Sequence, residues 1–280
     1  MAYRRPSSSA RPPNGGTHRV PYPRKITKYV KQAVAALAVI TIVVTATLLF
    51  SNTSSNEIAI SSHPNYVQVE TSVPDIKEFD MAIISQVKKS TVAIKGSDCP
   101  RFQFGSGFSL KSGTVVTSAH VVAGIRNPIV VTNESSEEIE ATVIAFDPVR
   151  DLAILDIGSH EMPGLELSKA TDGENVALIG YDKNGVTDWR PGQVTQHIRA
   201  TGSDIYGEPG SGRDALILAM DVDSGHSGSP VVNNSGEVIG VAFSSVKGGG
   251  ATAYAVQTNE LNNLVDETQE NSEAIITQCR

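Results

Sequence analysis

From Ser90 to Gln257 the chain keeps reversing: short runs of apolar and β-branched residues alternate with turn residues every eight to twelve positions. Helices need longer periodic stretches, so this rhythm restricts the region to an all-β barrel or sandwich. The strands it predicts are 90–95, 104–110, 114–118, 129–132, 139–147, 152–157 and 175–180, then 192–201, 215–221, 230–233, 238–244 and 251–257. Pro128 stands just ahead of Ile129, where a missing N–H is tolerated at a strand's start. A split at 182–190 divides the strands into two groups of similar size, about 90–182 and 190–257. A helix is expected over Asp75 to Lys89, where Ile76, Phe79, Ile83, Ile84 and Val87 recur at helical spacing. A closing helix is expected over 258–268, with Thr258 as N-cap, before a tail to residue 280. Twenty-four glycines against 5% aromatic residues suit a framework with many tight turns.

The sequence ahead of this framework has a different character. Residues 1–32 carry eight Lys/Arg and no acid, in a Pro-, Arg- and Ser-rich setting that predicts a disordered tail. Of 23 basic and 30 acidic residues in all, that leaves 15 basic against 30 acidic for the remainder, a balance of −15. An acidic body argues against nucleic acid as its partner. Ala33 to Phe50 is free of charge, with only Thr41, Thr45 and Thr47 as polar interruptions. At ~1.5 Å per residue it spans roughly 27 Å, close to a bilayer's hydrocarbon core. It reads as a transmembrane helix, with the basic flank cytoplasmic and everything after residue 50 outside. The alternative is a cleaved signal peptide. Against it stand the long basic region and the bulky Leu48-Leu49-Phe50-Ser51, which offers no small-x-small cleavage site. Residues 51–75 read as a juxtamembrane linker.

Cys99 and Cys279 both fall on the outer side. In an oxidising compartment an even pair reads as a disulfide; two free buried thiols are the alternative.

Three motifs carry the chemistry. Thr117-Ser118-Ala119-His120-Val121-Val122 sets His120 at the end of a β-run between apolar neighbours, unlike the other five histidines. Asp151 opens the apolar run Leu152-Ala153-Ile154-Leu155, where a carboxylate needs a partner to offset its desolvation. Asp147, four residues earlier, fits the lesser role of a turn aspartate. Ser227 lies in Gly225-His226-Ser227-Gly228-Ser229-Pro230, whose glycines permit a tight turn that aims a hydroxyl outward. A serine hydroxyl is a weak nucleophile until an imidazole takes its proton and a carboxylate holds that imidazole in the right tautomer. The order His120, Asp151, Ser227 is that of double-barrel serine hydrolases; other folds thread the same triad differently. No His/Cys/Asp cluster has metal-ligand spacing, so neither metal nor cofactor is expected.

These residues, together with Phe104-Gly105-Ser106-Gly107-Phe108 ahead of the histidine, resemble the trypsin-like family in its HtrA-type bacterial branch, over roughly residues 76–280. Gly202-Ser203-Asp204-Ile205-Tyr206-Gly207-Glu208-Pro209, Asp221-Val222 and the late Cys279 resemble its membrane-anchored periplasmic acid-resistance proteases of actinobacteria. The resemblance implies a chymotrypsin-like pair of six-stranded antiparallel β-barrels in a protease domain over 76–280. It implies an oxyanion hole made by the N–H groups of Gly225 and Ser227, and a Cys99–Cys279 disulfide that supports the active form. Asp221, six residues before Ser227, corresponds to the floor of the family's specificity pocket. A side chain turned away and bonded to backbone is the other reading of Asp221.

The departures are His226, where the branch has Asp or Asn, and Gly228-Ser229-Pro230, where it has Gly-Gly-Pro. His226 removes the aspartate that receives a new N-terminus in trypsin-like zymogens, and a titrating imidazole there suggests a pH-sensitive loop. One predicted span stands where the acid-resistance proteases carry several, and no PDZ-like module is expected after the barrels. The expectation is a membrane-anchored extracytoplasmic serine endopeptidase acting on cell-envelope or misfolded proteins, in stress or acid tolerance. The rival is a catalytically silent barrel that binds envelope proteins.

Overall fold

The computed structural model describes residues 79–111, 113–133, 137–245, 251–268 and 273–280. The basic tail, the apolar run 33–50 and the linker 51–75 lie outside the described residues. Among those described, no helix is long and apolar enough to cross a membrane.

Helix α1 (Met81–Ser90) starts where Asp80 accepts the Ala82 N–H, and it buries Ile84 and Val87. Residues 75–78 of the predicted 75–89 lie outside the described residues, and the Asp80 side chain caps the helix ahead of Met81. Seven antiparallel strands follow: β1 (Thr91–Gly96), β2 (Gln103–Lys111), β3 (Thr114–Thr117), β4 (Ile129–Thr132), β5 (Glu138–Glu140), β6 (Thr142–Asp147) and β7 (Leu152–Asp156). The one-turn helix α2 (Ala119–Val122) intervenes after β3. The strands form one sheet in the order β5-β4-β1-β2-β3-β7-β6. This corrects the expected six-stranded first barrel. The run 139–147, predicted as one strand, breaks at Ala141, whose N–H donates to Pro128 O at 2.8 Å. The chain thereby changes neighbour, so β5 pairs with β4 and β6 with β7 at opposite edges of the sheet.

The second set closes into a six-stranded barrel, β10-β13-β12-β11-β8-β9. Its strands are β8 (Asn175–Tyr181), β9 (Thr187–Ser203), β10 (Pro209–Ala219), β11 (Pro230–Val232), β12 (Val238–Ser245) and β13 (Thr252–Gln257). The boundary between the sheets is therefore the segment 157–174, not 182–190. Asp182, Asn184 and Gly185 instead make the tight β8–β9 turn, with Asp182 Oδ1 accepting the Asn184 and Val186 N–H groups. β9 also runs on to Ser203 and β10 starts already at Pro209, with one register shift between Gly210 and Arg213 and another between Ile217 and Leu218. Helix α3 (Thr258–Glu267) closes the fold, with Gln257 as N-cap. Thr258 lies inside the helix; its hydroxyl donates to Ser168 O rather than capping.

Apolar alternation explains the burial. One core fills the first sheet with Val92, Ile94, Val115, Val130 and Leu155, and another fills the barrel with Val176, Leu178, Leu216, Leu218 and Ile239. A third joins the two sheets: Phe108, Val116 and Leu152 meet Ile179, Val241 and Val256, and α1 and α3 cover them through Ile84, Val87, Leu261 and Leu264. The motif-bearing loops lie beside this shared core.

Candidate active site

His120 is the second residue of α2, and Asp151 lies at the entrance to β7. Asp147 Oδ1 accepts the Val149 and Arg150 N–H groups, so it builds the turn that delivers Asp151. Asp151 itself adopts φ 59°, the only positive-φ non-glycine residue among the described residues, and is 3% exposed. That left-handed backbone is a local strain tolerated best by Asp and Asn. It turns the carboxylate onto His120: Oδ1 accepts the His120 N–H at 2.9 Å, and Nδ1 lies 2.8 Å from Oδ2 and 3.0 Å from Oδ1. The imidazole is fixed through Nδ1, which leaves Nε2 to act elsewhere.

Ser227 sits in a turn between β10 and β11, where Gly225 has φ 105° and Gly228 φ 86°. A Cβ on Gly228 would stand 2.1 Å from Ser106 O, and one on Gly225 2.7 Å from backbone of 181–182. Ser106 holds this turn from below. Its hydroxyl donates to Gly225 O at 2.8 Å and accepts the Tyr181 N–H at 2.9 Å, while its own N–H donates to Ser227 O at 2.8 Å. Gly228 N–H is taken by Ala242 O, which also accepts the Ser118 hydroxyl. With those groups engaged, the Gly225 and Ser227 N–H groups have no acceptor among the described residues. Two backbone donors left open at a serine and at the residue two before it suit a developing oxyanion. Ser106 was not singled out from sequence beyond its place in Phe104–Phe108; only its pairing across 119 residues reveals the clamp.

His120, Asp151, His226 and Ser227 open onto one cavity of about 470 Å³, further lined by Asp204, Arg213, Asp223, Phe243 and Arg280. Asp221 is exposed and does not line it; Asp223, two residues on, does. Ser227 Oγ makes no hydrogen bond among the described residues. Nucleophile–base contacts of this kind commonly tighten only in the Michaelis complex. No group of three or more His, Cys, Asp or Glu could hold a metal among the described residues.

His226 is 1% exposed, and its Nδ1 accepts the Asp223 N–H at 3.0 Å. Burial pushes the imidazole below its ordinary pKa; Arg190 adds to this, and the carboxylates of Asp188, Asp223 and Asp182 oppose it. Nε2 is 3.8 Å from Asp188 Oδ2, too far for a hydrogen bond. Ser229 is fully buried opposite Gly180, where any Cβ would stand 1.9 Å from its hydroxyl. The missing side chain at 180 makes the room that a serine at 229 needs.

Cys99 and Cys279 form a disulfide. It pins the tail beside α2, where Gly124 N–H donates to the Thr277 hydroxyl at 2.7 Å and Tyr206 Oη donates to Gln278 O.

A two-sheet fold with a histidine–aspartate pair and a serine turn of this geometry is that of a chymotrypsin-like serine hydrolase. The model of the trypsin-like peptidase domain matches residues 105–241, and the chain belongs to that family. The serine protease Rv3671c of Mycobacterium tuberculosis is 30% identical over 215 residues, 75% of this chain and 54% of that one. Bovine mitochondrial serine protease HTRA2 is 34% identical over 169 residues, 58% of this chain and 35% of that one. The chain thus spans about half or less of these relatives' length. Among solved structures, the active form of Rv3671c protease from M. tuberculosis superposes with TM-score 0.71 at 28% identity, over 78% of this chain and 98% of that one. Its inactive form gives TM-score 0.63 at 30% identity, over 71% and 99%.

Proposed function

We propose that the protein is a serine endopeptidase in which Ser227 attacks the scissile carbonyl. His120 Nε2 takes the hydroxyl proton and passes it to the departing amine as the C–N bond breaks. Water, activated by the same imidazole, then hydrolyses the acyl-enzyme and restores Ser227. Asp151 orients His120 and stabilises its cation, and the N–H groups of Gly225 and Ser227 hold the oxyanion. The observation that carries this reading is the two-oxygen grip of Asp151 on His120, beside a cavity shared with Ser227. The relatives' description as serine proteases supports it.

We further infer that residues 33–50 anchor the chain as a single span with residues 1–32 in the cytoplasm. The protease domain at 76–280 then acts outside on envelope or misfolded proteins, in stress or acid tolerance. The disulfide favours such an oxidising location. Two assays test these readings. The full chain should cleave unstructured casein, and Ser227→Ala should abolish cleavage; equal cleavage by the variant would reject the mechanism. Added protease should digest residues beyond 50 in spheroplasts while sparing the N-terminal tail; the opposite pattern would reject the orientation.

A further inference from the structure

Arg213 lies on β10, yet it is held by the β6–β7 turn and by strand β12, both of which reach the catalytic centre. Its Nη1 donates to Val149 O at 2.6 Å, two residues before Asp151. Its guanidinium lies 4.3 Å over the ring of Phe243, the residue after the Ala242 whose carbonyl secures Gly228. Phe243 is in turn tilted against Tyr254 at 6.2 Å. Arg213 therefore projects into the cavity of His120 and Ser227 on a rigid aromatic support.

Its charge has no carboxylate partner among the described residues. Nε is buried without a hydrogen bond, and no ion pair to Arg213 occurs among the described residues. The other cation lining the cavity, Arg280 beside the disulfide, also makes no ion pair among the described residues. The carboxylates there are already engaged. Asp151 holds His120, Asp204 accepts the Tyr206 and Glu208 N–H groups of its own turn, and Asp223 pairs with Arg190 at 3.1 Å. In a protein body with a balance of −15, the Arg213 guanidinium thus reaches the reaction centre without a carboxylate holding it among the described residues. A guanidinium with donors to spare recognises carboxylates with both charge and geometry.

We propose that Arg213 makes this cleft selective for peptides carrying an Asp or Glu side chain close to the scissile bond. This rests on the peptidase reading above. Arg213 acts on substrate directly.

The test compares fluorogenic peptides differing only by Glu against Gln, or Asp against Asn, at each position flanking the cleaved bond. The full chain, Arg213→Met and Arg213→Glu are assayed at low and high salt. At one position the wild type should prefer the acid by about tenfold or more in kcat/KM, the size of one charge-assisted hydrogen bond. Arg213→Met should remove the preference, Arg213→Glu should shift it towards Lys, and salt should shrink it. A merely structural Arg213 would lower all peptides together. Cleavage by the wild type without an acid preference, or a preference that survives in Arg213→Met, overturns the proposal. Fluorophosphonate labelling in parallel separates the two claims. Labelled enzyme without acid preference defeats only the specificity, whereas failure to label wild-type Ser227 defeats the peptidase reading and this proposal with it.

Discussion

Ser106→Ala deletes one oxygen and should disturb both stability and catalysis. The hydroxyl is fully buried and bridges Gly225 O at 2.8 Å and Tyr181 N at 2.9 Å. Its loss strands a carbonyl and an N–H where water does not compensate. Each such group costs about 1–3 kcal/mol, so the pair should cost about 3 kcal/mol after partial relaxation. For a domain of this size, about 2–4 °C per kcal/mol gives a fall in Tm of roughly 6–12 °C. The same bond fixes the Gly225–His226 peptide, which adjoins the one carrying the Gly225 N–H. Freeing that carbonyl lets the turn rotate, up to the ~10²–10³-fold loss in kcat expected when an oxyanion donor is removed. Thermal unfolding by circular dichroism and kcat on one peptide, measured below the lowered Tm, read the two effects. An unchanged Tm would refute the burial argument. A lowered Tm with unchanged kcat would refute the claim that Ser106 holds the oxyanion turn in place.

Gly180→Ala should destabilise by about 1–3 kcal/mol, since its methyl overlaps the Ser229 hydroxyl, and adding Ser229→Gly should recover most of that in a double-mutant cycle. Additive effects would mean that the pair does not share the space. Burial keeps His226 neutral in the fold while the unfolded chain titrates normally near 6.5, so the unfolded state binds more protons below that pH. Stability should therefore decline as pH falls from about 6.5 until His226 itself charges, and His226→Asn should flatten that slope in urea titrations. An identical slope in the variant would remove His226 from the account. Reducing Cys99–Cys279 opens a loop with a sequence separation of 180, worth up to about 5 kcal/mol on chain entropy. Reduction should lower Tm and slow turnover, because the tail it frees abuts α2; unaltered turnover in Cys99→Ser would confine the disulfide to stability.

The all-β architecture is readable because it depends on a local pattern, strand alternation; the apolar run after Asp151 and the glycines around Ser227 are equally local, and the structure brings both residues to one cavity with His120. The sheet boundary was misread because a polar stretch at 182–190 resembles a linker as readily as a hairpin turn. Only pairing partners distinguish the two, and β8 finds its partners in β9 and β11. The break at Ala141 was likewise invisible, since residues 139–147 alternate like a single strand and it is Pro128 O that diverts the chain. Ser106, Gly180 and Arg213 act through neighbours far away in sequence, so nothing local marked them. The resemblance offers Asp221 as a pocket floor with a side chain turned away as the other reading; the structure has Asp221 exposed and Asp223 lining the cavity.

The central claim is that Ser227 is an activated nucleophile. Treating the oxidised full chain with a fluorophosphonate and mapping the adduct by mass spectrometry tests it most directly. The account predicts one adduct, on Ser227, absent in Ser227→Ala and strongly slowed in His120→Ala. A folded, oxidised protein that takes no adduct at any pH from about 5 to 8 would contradict it, and would favour a barrel that binds proteins without cleaving them.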